Sequence, residues 1–89
     1  MKRYRAKNEL VVQSSDGIFV AYDATNGTIL ELNEIGFKVL QACAKPMSVA
    51  RLCLKLEAEC SHVPPHLELL RDVRDFLSQL EKFEFIRSL

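Results

Sequence analysis

Apolar residues fall into two regimes along the chain. Up to Leu32 they come in short runs rich in β-branched and aromatic side chains, broken by Asp16-Gly17 and Asn26-Gly27. From Asn33 onward they recur every third or fourth position. The first regime is that of strands and the second that of helices, so the pattern divides the chain into a β half and an α half. The predicted strands are residues 9–13, 18–23 and 28–32. Asp-Gly and Asn-Gly favour tight hairpins because the glycine accepts a positive φ, so the three strands form an antiparallel meander. In the middle strand Ile18, Val20 and Tyr22 point one way, Phe19 and Ala21 the other. Both faces are apolar. That predicts cover on both, from the chain's own helices and loops or from a partner.

Asn33 is a good N-cap for a helix reaching residue 44, with Ile35, Val39, Leu40 and Cys43 as its buried stripe. Gly36 in its first turn costs about 0.5–1 kcal/mol relative to alanine, which close packing against the sheet would offset. Lys45-Pro46-Met47 ends the helix, because the residue before proline avoids the α region. Ser48 caps a second helix over residues 49–59, and Pro65 suits the first position of a third over residues 65–82. In that third helix Leu69, Val73, Phe76, Leu80 and Phe83 step by fours and threes and form the predicted core seam. Leu67, Leu70, Arg74, Leu77 and Glu81 form a second stripe on its flank. Phe85-Ile86 either adds a short terminal strand or packs on the core. The predicted class is α+β: a three-stranded antiparallel sheet followed by three helices, in a winged helix-turn-helix-like arrangement.

The sequence has 89 residues, enough for one domain. Twelve lysines and arginines balance twelve carboxylates. Duplex DNA is held by neutralising several phosphates, so this balance argues against a nucleic-acid partner. Lys2, Arg3, Arg5 and Lys7 make the start basic and read as a solvated terminus. No apolar run approaches the ~18–20 residues of a membrane span, and nothing reads as a cleavable signal. A reduced, cytoplasmic protein with no membrane partner is the expectation. Cys43, Cys53 and Cys60 fall at core positions without a C-x-x-C pair and read as buried thiols.

Catalytic chemistry is sparse. His62 and His66 flank Pro64-Pro65, so one regular helix does not hold both, and no metal site is predicted. Gly17, Gly27 and Gly36 are too widely spaced to cradle a phosphate. Glu68, Arg71 and Asp72, with Arg74, Asp75 and Ser78, read as local ion pairs on a solvated helix face. No cofactor is implied, and the chain does not read as an enzyme.

Asp23-Ala24-Thr25-Asn26-Gly27 leads into a strand ending in Leu32-Asn33-Glu34-Ile35-Gly36. A helix and the break Lys45-Pro46-Met47-Ser48 follow, then Asp72-Val73, Phe76-Leu77 and Leu80. Over residues 9–87 this pattern resembles the PqqD-like family, the recognition elements of ribosomally made peptide-modification pathways. The resemblance implies a non-catalytic domain over residues 1–89. Such a domain binds the leader segment of a precursor peptide as an added strand, between the third strand and the third helix. It then presents the precursor to a separate modifying enzyme. The leader-binding subunits of lasso-peptide systems, which work with a leader peptidase, are the nearest likeness. A pyrroloquinoline-quinone-type precursor chaperone for a radical-SAM enzyme is the alternative. On that implication the peptide site is Thr28, Ile29, Leu30, Glu31 and Leu32 on the strand. Leu67, Leu70, Arg74 and Leu77 face it from the helix, with Arg71, Ser78 and Glu81 at the rim. Arg71 and Arg74 would then pair with acidic leader side chains. A winged-helix DNA-binding protein, a small enzyme using one of the cysteines and a homodimer paired through the open sheet edge are the rival readings.

Overall fold

The computed structural model describes residues 2–89. Its elements run β1 (Arg3–Ala6), β2 (Leu10–Ser15), β3 (Ile18–Asp23), β4 (Ile29–Leu32), α1 (Glu34–Ala42), β5 (Met47–Ser48), α2 (Val49–Glu59), α3 (His66–Lys82) and β6 (Ile86–Ser88). The fold is α+β, with antiparallel sheets and three helices.

The predicted meander is the sheet β2-β3-β4. Asp16 and Gly17 both have positive φ, 53° and 77°, as a two-residue hairpin turn requires. The second turn is longer than Asn-Gly alone predicts. Asp23 N–H donates to Thr28 O and Gly27 N–H to Asp23 O, so residues 24–27 form the loop. The Asp23 carboxylate organises it by accepting from Thr25 N–H at 2.9 Å. Lys7 Nζ donates to the same buried carboxylate at 2.8 Å, tying the N-terminal segment to this hairpin.

A second sheet, β5-β1-β6, is absent from the sequence reading. The basic start is not a solvated terminus. Arg3–Ala6 pairs with Met47–Ser48 on one side and Ile86–Ser88 on the other, and Tyr4 is buried. Of Phe85-Ile86, Ile86 opens the terminal strand and Phe85 packs in the core just before it, with both side chains buried.

Helix boundaries follow the caps. Asn33 Oδ1 accepts from Gly36 N–H at 2.7 Å and Ser48 Oγ from Arg51 N–H at 3.2 Å. Pro65 is the N-cap of α3 rather than its first residue. The core joins Leu40, Leu52, Leu69, Leu77, Leu80 and Phe85 beneath Ala21 and Leu32 of the sheet. Among the described residues none covers the opposite face of the meander. Val11, Ile18, Tyr22 and Ile29 are all exposed there, and Val11, Tyr22 and Ile29 sit side by side across the three strands. Among the described residues no helix is long and apolar enough to cross a membrane.

Candidate functional site

β4 is an edge strand, paired with β3 alone. In an antiparallel pair, residues that exchange hydrogen bonds alternate with residues that do not. Asp23 and Thr28 form one bonded pair, so the register makes Ala21–Leu30 and Phe19–Leu32 the next two. Leu30 and Leu32 therefore direct their backbone groups at β3, and the Thr28 carbonyl points there too, while Thr28 N–H donates to Asn26 Oδ1. The N–H and C=O of Ile29 and Glu31 point away from the sheet, where a further strand would lie. The side chains alternate too: Leu30 and Leu32 face the core side, Ile29 and Glu31 the outer side.

Beside this edge runs α3, and between them lies a cleft of about 420 Å³. Leu30 and Leu32 form one wall, Ile35, Gly36 and Val39 of α1 the floor, and Phe76 and Leu80 of α3 with its C-cap Phe83 the other wall. Phe83 is 50% exposed, an aromatic ring held at the mouth. Two wider hollows, of about 630 and 600 Å³, lie elsewhere. One is rimmed by Lys38, Lys45 and Arg51, the other by Arg5, Lys7, Glu81 and Arg87, and neither borders the meander.

Gly36 explains how α1 and α3 close the floor. A Cβ there would stand 2.8 Å from Phe76 Cζ and 3.2 Å from Asn33 Oδ1. The glycine thus serves a close approach to a side chain of α3, not to the sheet as the sequence reading had it.

The structure places Leu30, Glu31 and Leu32 at the cleft and Ile29 beside it, but none of the predicted α3 residues lines it. The buried stripe of α3 is Leu69, Val73, Leu77 and Leu80. Leu77, expected on the flank, is fully buried, while Phe76 and Phe83, expected in the seam, are at the cleft. At about 100° per residue, the buried stripe has two flanks. Leu67, Leu70, Arg74 and Glu81 lie on one of them, while Asp72, Phe76, Gln79 and Phe83 lie on the other, against β4. Leu67 is 80% exposed, Leu70 packs against the core, and Arg71 and Ser78 face solvent. Arg74 is exposed, and Glu81 lines the hollow beside Arg5 and Lys7. The expected ion pairs along α3 do not form among the described residues, and its carboxylates Asp72 and Asp75 line the cleft without a cation within 4.0 Å. The missed signal was Phe76 and Phe83 recurring with Asp72 and Gln79, an aromatic and polar stripe unlike an interior one.

No group of three metal-ligating side chains gathers among the described residues. His66 Nδ1 lies 3.2 Å from a Glu57 carboxylate oxygen, joining the end of α2 to the start of α3. Burial pushes the Cys43 thiol up to about 12, and burial followed by Glu57 raises Cys53. Neither thiol is set up as a nucleophile.

An open strand edge beside an apolar cleft can accept an extended chain as an added strand. The chain belongs to the PqqD family, described as coenzyme PQQ synthesis protein D, whose pattern matches residues 9–86. Two solved structures share the fold. One is TbiB1 in complex with the TbiA(beta) leader peptide, 22% identical, covering 93% of this chain and 94% of that one with a TM-score of 0.75. The other is a lasso peptide synthetase B1 complexed with the leader peptide, 21% identical, covering 97% and 96% with a TM-score of 0.72. No curated protein matches the sequence significantly.

Proposed function

We propose that the protein is a non-catalytic peptide-recognition domain. It captures the leader segment of a ribosomally made precursor by strand addition to β4, in the cleft against α3, and presents it in the cytoplasm to a separate modifying enzyme. The observation that carries this reading is the outward-facing backbone of Ile29 and Glu31 directly beside the Phe76–Phe83 wall. The family and the two leader-bound neighbours support it.

The energetics require both parts of the site. Ile29 and Glu31 offer two N–H and two C=O groups to a guest strand. At ~0.5–1.5 kcal/mol net per hydrogen bond, they roughly offset the ~4 kcal/mol or more that association costs. Net affinity then comes from apolar side chains seated in the cleft. Two or three anchors at ~1.5–3 kcal/mol each carry the Kd toward the micromolar range.

Direct titration tests the reading. A fluorescently labelled leader peptide, from a precursor in the gene neighbourhood, is expected to bind saturably, and the core region of the same precursor is not. Absence of saturable leader binding up to millimolar protein refutes it. The fold neighbour described as a lasso peptide synthetase B1 favours a lasso leader peptidase as the enzyme served. The family's own description favours a second reading, a precursor chaperone for a radical-SAM enzyme in quinone-cofactor synthesis. Faster leader removal by a peptidase on adding this protein supports the first. Faster turnover by a radical-SAM enzyme supports the second.

A further inference from the structure

Charge is unevenly placed in this electrically balanced chain. Asp72 and Asp75 line the cleft, Glu31 of its edge strand carries a third carboxylate on the outer side, and no lysine, arginine or histidine lines it. None of the three has a cation within 4.0 Å among the described residues. On α3 the arginines Arg71 and Arg74 do not line the cleft, while Asp72 and Asp75 do. Unpaired charges of one sign beside low-dielectric walls focus a field that attracts the opposite charge.

We infer that the guest strand is basic: the cleft selects an extended peptide in which apolar anchors are accompanied by lysine or arginine. This rests on the peptide-capture reading and adds its charge specificity, opposite in sign to that expected from Arg71 and Arg74. The pleat sets where the basic residues go. Guest side chains turned toward α3 meet Leu30, Ile35, Phe76 and Leu80, with Asp72 and Asp75 at the rim. Side chains turned outward run alongside Ile29 and Glu31. A cation is favoured at either rim, and a carboxylate at the same position faces like charge. Backbone pairing supplies register at every position, and the three carboxylates supply discrimination between otherwise similar apolar strands.

The test is a scan of the synthetic leader peptide, each position replaced in turn by Lys, Gln and Glu, with amide shifts of Ile29 and Glu31 read in parallel. At one or more positions the affinity order Lys, then Gln, then Glu is expected, with about 1.5- to 5-fold per step, the range of exposed ion pairs. The preference is expected to shrink at high salt on the unmodified protein and to vanish or reverse in the double variant Asp72→Lys/Asp75→Lys. Arg71→Glu/Arg74→Glu is expected to leave it unchanged. Glu binding as well as Lys at every position, while the Ile29 and Glu31 amides still shift, overturns the charge selectivity and leaves peptide capture standing. If no leader variant binds and neither amide moves, peptide capture itself has failed and the selectivity with it.

Discussion

Proline substitutions at adjacent positions of β4 separate a recognition edge from an ordinary strand. Ile29 N–H points outward and Leu30 N–H points at β3, so the same substitution has opposite consequences one residue apart. Ile29→Pro removes no bond within the protein, and an edge strand tolerates proline on its open side. Its stability is expected to stay within about 1 kcal/mol of the parent, because the restricted unfolded chain offsets part of any local strain. A guest strand, however, loses a donor and keeps an unpaired carbonyl, costing about 1–3 kcal/mol. That corresponds to a Kd increase of about 5- to 150-fold. Leu30→Pro breaks the ladder to Ala21 and is expected to destabilise the domain by roughly 3 kcal/mol or more, as proline does inside a hydrogen-bonded element. Ile29→Ala keeps the N–H and loses a side chain that is 66% exposed on the outer face, so its Kd is expected within about twofold of the parent. The assay is leader titration paired with urea denaturation of each variant. Equal leader affinity for Ile29→Pro and the parent, with both folded, would refute strand addition at this edge.

Further expectations follow from particular contacts. Gly36→Ala places a methyl 2.8 Å from Phe76 Cζ. It is expected to drive the ring into the cleft and weaken leader binding several-fold, by the ~1–3 kcal/mol of overpacking, with affinity recovered in Gly36→Ala/Phe76→Leu. Leu77→Ala is expected to cost about 2–5 kcal/mol in denaturant melts and Leu67→Ala no more than about 0.5, since the first is buried and the second 80% exposed. The Lys7 hydrogen bond, followed by Thr25 N–H, holds the Asp23 carboxyl below the usual carboxylate range against its burial. Its contribution is complete above the unfolded pKa of about 3.9 and is lost as pH falls through the lower folded value. Asp23→Asn is therefore expected to flatten the loss of stability below pH 4. For Lys7 the same bond raises the pKa, so its part persists up to the ordinary lysine pKa and is lost as pH rises through the folded one. A thiol reagent is expected to label Cys60 first, since Cys43 and Cys53 are buried, and all three cysteines in denaturant. Cys60→Ser should abolish the early native reaction.

The meander and the three helices were legible because strong local signals punctuate them. Asp16-Gly17 adopts the two positive φ angles that such a turn needs, and Asn33 and Ser48 cap as their side chains dictate. The second sheet was not legible: strands of two to four residues carry no period, and their pairing joins residues 3, 48 and 88 of the chain. The α3 face went wrong for a different reason. Phe76 and Phe83 look like core residues by hydrophobicity, and Leu67 and Leu77 look equivalent on a flank. Only tertiary packing, which buries Leu77 and leaves Leu67 exposed, fixes the rotation that turns Phe76 and Asp72 toward β4. The apolar outer face of the meander was read correctly as apolar, but none of the described residues covers Ile18, Tyr22 or Ile29.

Hydrogen exchange along β4, with and without the leader peptide, addresses strand capture most directly. In the free protein the Leu30 and Leu32 amides are expected to be protected by β3, while those of Ile29 and Glu31 exchange freely. On adding leader, Ile29 and Glu31 are expected to become protected together, with saturation matching the titrated Kd. Slow exchange of both amides in the free monomer, or no change at saturating leader, would contradict the account.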